Sequence, residues 1–250
     1  FRTHVLPKNP DPKIFIDDVL EPFADALYAI RNASYSATSH AEAVNYYIRW
    51  LQRIDNSDWI PPAMLYLKEQ RNKPKRVERF FALLERLAAY MHICRWNVNA
   101  RIETYAELIN DIQSGAEPDD MAQFKFGDDD HEAFRDALDG NIYELTPRRR
   151  NYLILRLDSF ISDGAATYDP SILTNEHVLP QTVPAVREWK SWWPNVSERK
   201  AWVQRLAYLV PLNKKKNSSA QIFEFGQKRD IYFSGTKNVS SYALTSPVME

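Results

Sequence analysis

Between residues 75 and 96 the apolar side chains recur at spacings of three and four: Val77, Phe80, Phe81, Leu84, Leu87, Ala88 and Met91. That period places them on one face of a helix. A face this apolar must be buried against other elements, so the segment predicts a helical bundle. Weaker helical patterns cover 14–32, 40–55, 62–71, 98–114, 130–139 and 147–162. Ser39 and Asn97 stand where N-caps belong, Pro147 suits a first helical turn, and Pro61, Pro62 and Pro74 fall in the gaps. Residues 1–12, with Pro7, Pro10 and Pro12, read as a leading arm. Residues 115–130 hold Glu117, Asp119, Asp120, Asp128, Asp129 and Asp130 and predict an exposed acidic loop. Their spacing lacks the ligand alternation of an EF-hand.

The character changes after Gly164. Prolines recur at 170, 180, 184, 194 and 211, and tryptophans cluster at 189, 192, 193 and 202. The short apolar pieces 172–179 and 206–212 suit strands. Helices are expected at 184–193, 197–205 and 213–233, the last broken near Gly226, and Tyr242-Ala243-Leu244 suits a closing strand. The tryptophans fit the core of a small subdomain better than a base-stacking platform. The expected fold is mainly α with a small α+β part: a helical region over 1–163 and a smaller subdomain over 164–250.

Composition removes several function classes. The 6 glycines form no GxGxxG or GxxxxGK[ST], so no phosphate-cradling loop is present. One cysteine, Cys94, excludes an internal disulfide and a cysteine-rich zinc site, and fits a cytoplasmic protein. No apolar run is long enough to span a membrane. The chain starts at Phe1, as expected for a piece of a longer protein. Its net charge of −1 is uneven: residues 141–250 hold 15 Lys+Arg against 10 Asp+Glu, while residues 1–140 hold 17 against 23. The C-terminal part is the better match for an anionic polymer.

Two segments there concentrate useful chemistry. In Asn175-Glu176-His177-Val178-Leu179-Pro180-Gln181 an acid precedes a histidine and a proline follows three positions later. Neighbours in a strand point to opposite sides, so Glu176 and His177 can share a site only where the strand bends or ends. Pro180 would help by stopping ladder pairing. In Leu209-Val210-Pro211-Leu212-Asn213-Lys214-Lys215-Lys216-Asn217 an apolar strand runs into a basic helix start. Asn213 and Asn217, four apart, share a helical face, and either could reach the His177 strand. Phosphodiester hydrolysis needs a base, a charge-neutralising metal and cations along the backbone. An imidazole, oxygen ligands and lysines supply these. A lysine run is also, more blandly, a solvated helix face.

Glu176-His177-Val178-Leu179-Pro180-Gln181 resembles the acid-His-x-x-Pro-Gln signature of HNH (ββα-metal) nucleases, in the form found in the C-terminal domain of GmrSD-type restriction enzymes. Leu206 to Leu212 with Lys215 to Ser218, Phe223 to Phe233, Ser241 to Thr245, and the upstream helices 75–112 and 148–160 are similar to the same family. The resemblance implies that His177 is the general base, with Glu176 and Asn217 as ligands of Mg²⁺ or Mn²⁺. On this reading Lys214, Lys215 and Lys216, with Arg148, Arg149 and Arg150, hold flanking phosphates. Pro180, Gln181 and Asn213 support the site. Tyr208 stands where the family has an Asn that holds the histidine strand; either its hydroxyl substitutes or the site is weakened. The resemblance further implies double-stranded DNA, of phage origin, as substrate. It implies nicking by a monomer, and an N-terminal sensing or nucleotide-hydrolysing domain as partner; one branch (the SspE type) senses phosphorothioate-modified DNA. Two other readings stand beside it: a DNA-binding or regulatory module whose nuclease site has decayed, and an RNA-directed nuclease.

Overall fold

The computed structural model describes residues 5–8, 11–162, 173–182, 187–214, 217, 223–233 and 242–249. The chain divides into two compact units, Phe1–Glu132 and Ala133–Glu250. The expected compositional boundary, between 163 and 164, lies further along the chain.

The first unit is helical. Helix α1 (Pro12–Phe15) runs through a π-helical turn, Ile16–Leu20, into α2 (Glu21–Asn32). There follow α3 (Ala41–Leu51), α4 (Ile60–Gln70), α5 (Pro74–Ile93) and α6 (Val98–Gln113). The stripe on α5 is buried as its spacing requires: Val77, Phe80, Phe81 and Leu84 have no exposure. It packs against α3 and α4, with the Tyr66 and Phe80 rings stacked at 3.8 Å. Asn97 caps α6 by accepting from the Ala100 N–H at 3.0 Å. Ser39 does not cap α3; His40 precedes that helix with a φ of 63°, and no side chain makes the cap bond. The His40 ring meets the Glu78 carboxylate.

The acidic stretch is only partly loop. Short 3₁₀ turns form at Pro118–Asp120 and Ala122–Phe124. Asp128, Asp129 and Asp130 open helix α7 (Asp128–Leu138). Carboxylates suit a helix N-terminus, and Asp130 accepts from the Gly127 N–H at 2.9 Å as well as from the Tyr90 hydroxyl at 2.9 Å.

The second unit sets α8 (Pro147–Ile161) and a two-stranded antiparallel ribbon, β1 (Leu173–His177) with β2 (Leu209–Asn213), among short helices. These are α9 (Arg187–Trp192), α10 (Val196–Trp202) and α11 (Phe225–Phe233). Lys214 and Asn217 are helical. Gly226 lies inside α11 and does not break it. Leu206–Tyr208 is a 3₁₀ turn before β2, not part of the strand. Two small cores flank the ribbon. Leu179, Trp189 and Val203 make one, with Trp193 and Tyr208 packed on it; Val210, Leu212 and Tyr232 make the other.

No closing strand forms at 242–244. Ala243–Met249 is a 3₁₀ helix. The Leu244 N–H donates to Asp158 Oδ1 on α8 at 2.6 Å, and the Thr245 hydroxyl donates to the Pro211 carbonyl at 2.8 Å. Side chains thus satisfy groups that a strand would have turned to a ladder. None of the described helices is long and apolar enough to cross a membrane.

Candidate active site

Register determines the site. His177 stands opposite Leu209 at one end of the ribbon, and Leu173 opposite Asn213 at the other. Alternation sends Asn175 and His177 to one face and Glu176 to the other, and their partners follow suit. Asn175 Nδ2 donates to Asn151 Oδ1 on α8 at 2.7 Å. The His177 ring packs on Tyr143 at 4.1 Å, and the Arg150 guanidinium lies over the Tyr143 ring at 4.1 Å. On the opposite face, Glu176 Oε1 accepts from Lys228 Nζ at 2.6 Å and from the Tyr232 hydroxyl at 3.2 Å. Lys228 Nζ also donates to the His177 carbonyl at 2.6 Å.

β1 ends at His177, so both faces open at its tip onto one cleft of about 290 Å³. Glu176, His177, Asn217, Pro180 and Gln181 line it, with Tyr143, Asn175, Thr182 and Lys228. Pairing stops three residues before Pro180; the chain is then held by the Val178 N–H donating to the Tyr208 carbonyl at 2.9 Å.

The imidazole is fixed at both nitrogens. Gln204 Oε1 lies 3.1 Å from Nε2 and accepts its hydrogen. The lone pair is then on Nδ1, where the Gln181 amide nitrogen sits at 3.0 Å. Burial pulls the His177 pKa below the ordinary histidine value; the Gln204 hydrogen bond opposes this, and the charges of Lys228 and Arg150 add to it. The ring is therefore a neutral base at neutral pH. Burial pushes the Glu176 carboxyl up and the Lys228 ammonium down, and each group resists the other's displacement.

The donor chemistry fits a hard divalent cation. A carboxylate and three amide side chains, Asn175, Gln181 and Asn217, line one cleft without a thiolate. Among the described residues no three His, Cys, Asp or Glu gather at a point. An ion held here would keep most of its ligands as water, as Mg²⁺ does.

Residues 128–248 match the model of the family described as GmrSD restriction endonucleases, C-terminal domain. Over these residues the chain is similar to that family. No curated protein and no solved structure matches the chain.

Within the matched segment the expected site residues divide. Glu176, His177, Pro180, Gln181 and Asn217 meet at the cleft. Asn213 does not join them: antiparallel register carries it to the far end of the ribbon, opposite Leu173. Tyr208 supports the histidine strand, but through its carbonyl; its ring stands edge-on to Trp193 and Trp202, and no described hydrogen bond ties its hydroxyl to β1. A main-chain group can do this whatever side chain stands there. Lys214 is exposed and helical, and Lys215 and Lys216 lie outside the described residues. Of the three arginines, Arg150 is tied to the site through Tyr143. Sequence reasoning missed Gln204, Tyr143, Asn151, Lys228 and Tyr232. The last two are four apart on α11, so one face of that helix presents both to Glu176; that spacing was the only hint available.

Proposed function

We propose that the GmrSD C-terminal domain of this chain is an HNH-type, divalent-metal-dependent DNA endonuclease within a restriction or phage-defence protein. The family description supports nuclease action on DNA. The observation that carries the mechanism is the neutral His177 imidazole, with Nε2 engaged by Gln204 and Nδ1 turned to a cleft shared with Glu176 and Asn217.

In this reading His177 Nδ1 takes a proton from water, and the resulting hydroxide attacks a backbone phosphate in line. Glu176 and Asn217 would hold Mg²⁺ or Mn²⁺, whose role is to neutralise charge on the phosphate and the leaving oxygen. Gln181 uncovers Nδ1 for the water; being exposed, its amide is exchanged at little cost. Arg150 and Lys214, with Lys215, Lys216, Arg148 and Arg149, supply the cations for flanking phosphates. One such site cuts one strand, so a monomer nicks. An N-terminal domain that senses the DNA is the expected partner.

The test is plasmid nicking by the parent and by His177→Ala, with Mg²⁺, with Mn²⁺ and with chelator. The parent nicks only with metal and His177→Ala falls by about 100-fold or more. Equal rates for the two proteins overturn the assignment.

A further inference from the structure

One buried amide at the cleft is left unexplained by the fold. Asn175 is 8% exposed and lines the cleft, and its Oδ1 is buried without a hydrogen-bond partner among the described residues. Its Nδ2 is satisfied by Asn151. Such an orphaned oxygen is costly, and in native proteins it marks a water, an ion or a catalytic role.

Asn175 lies two residues before His177, on the same face of β1, whereas Glu176 faces the other way. A strand rises about 3.3 Å per residue, so the two side chains root roughly 6.6 Å apart. Side chains of their length can close on one water between them. The second acceptor is His177 Nδ1, and the amide group of Gln181 now occupies the donor position beside it, at 3.0 Å.

We propose that Asn175 is a further catalytic residue, whose Oδ1 accepts one hydrogen of the attacking water while His177 Nδ1 accepts the other. The proposal rests on His177 being the base. With both hydrogens engaged, the water's lone pair is turned toward phosphorus. The proton bound toward His177 moves to Nδ1 as the oxygen–phosphorus bond forms. The bond to the leaving oxygen breaks with its electron pair, and that oxygen is protonated from solvent. The hydrogen on Asn175 Oδ1 stays with the new phosphate ester. An amide oxygen suits this task because it accepts without competing for the proton.

Four variants of the full chain separate this from a structural role: Asn175→Ala, Asn175→Asp, Asn151→Ala and His177→Ala. Asn151→Ala removes the same Asn151–Asn175 hydrogen bond and leaves Oδ1 untouched. The expected result is an about 100-fold loss of single-turnover cleavage for Asn175→Ala, the scale set by a misplaced reactant. Its DNA affinity and melting temperature match those of Asn151→Ala, which stays within a few-fold of the parent rate. Asn175→Asp, which keeps an acceptor oxygen but competes for the proton and loses the donor to Asn151, recovers part of the rate. Equal losses in Asn175→Ala and Asn151→Ala, or none in either, overturn the proposal while an inactive His177→Ala leaves the base assignment standing. An active His177→Ala sinks that assignment instead. A crystal structure of the chain decides independently of activity: one water within hydrogen-bond distance of both Asn175 Oδ1 and His177 Nδ1 is expected, and a dry Asn175 Oδ1 overturns the proposal.

Discussion

Lys228 is fully buried, and its Nζ is committed to Glu176 and to the His177 carbonyl. Truncating one partner of a buried ion pair strands the other. Lys228→Ala should therefore cost about 3–5 kcal/mol in chemical denaturation. Combining Lys228→Met with Glu176→Gln should cost less than Lys228→Ala, because no charge is left alone. His177 makes a second residue-scale prediction. Its folded pKa lies below the unfolded value, so the folded state binds fewer protons. The stability this gives is complete above the unfolded pKa of about 6.5 and is lost as pH falls through it toward the folded value. The base form persists over the same window. Cleavage should hold at pH 6.5 and decline only below it. Arg150→Gln removes a charge that depresses the imidazole pKa, so its acid limb should move to higher pH; an unmoved limb would deny Arg150 this role.

At the scale of elements, the terminal 3₁₀ helix acts as a strap. Asp158 on α8 receives the Leu244 N–H, and the Pro211 carbonyl on β2 receives the Thr245 hydroxyl. Thr245 is fully buried, so Thr245→Val leaves that carbonyl unpaired in the interior. The expected loss is about 1–3 kcal/mol by thermal melting. Trp189, 3% exposed, anchors the core beneath Leu179 and donates its indole N–H to the Phe223 carbonyl at 3.0 Å. Trp189→Ala should cost about 3–5 kcal/mol and slow cleavage as well, because Leu179 lies two residues from His177.

For the whole molecule, the excess of Lys and Arg over Asp and Glu in residues 141–250 bears on substrate. DNA binding that depends on phosphate contacts should weaken steeply as salt is raised. Chelation should abolish nicking and leave much of that binding intact, since the cations that meet the phosphates are side chains. Binding insensitive to salt would argue against the charged surface as the DNA face.

Local signals settled much of this. The three-and-four spacing on α5 determined which residues face the first unit's interior, because a helix has one period and an apolar stripe has nowhere else to go. The Glu-His-x-x-Pro-Gln run located one wall of the cleft, because those side chains are neighbours in sequence. The rest comes from afar: Lys228 and Tyr143 reach the cleft, Gln204 reaches the His177 ring, and Asn151 braces Asn175, all only through strand register and helix packing. The same register removed Asn213 from the site and turned Tyr208 to a main-chain role. The sequence alone thus determined the period of each element and the reactive type of its residues. Only the tertiary structure decided which tautomer His177 holds, which cation shares Glu176 and which amide oxygen at the cleft is left without a partner among the described residues, because each depends on groups that meet solely when distant segments are brought to one point.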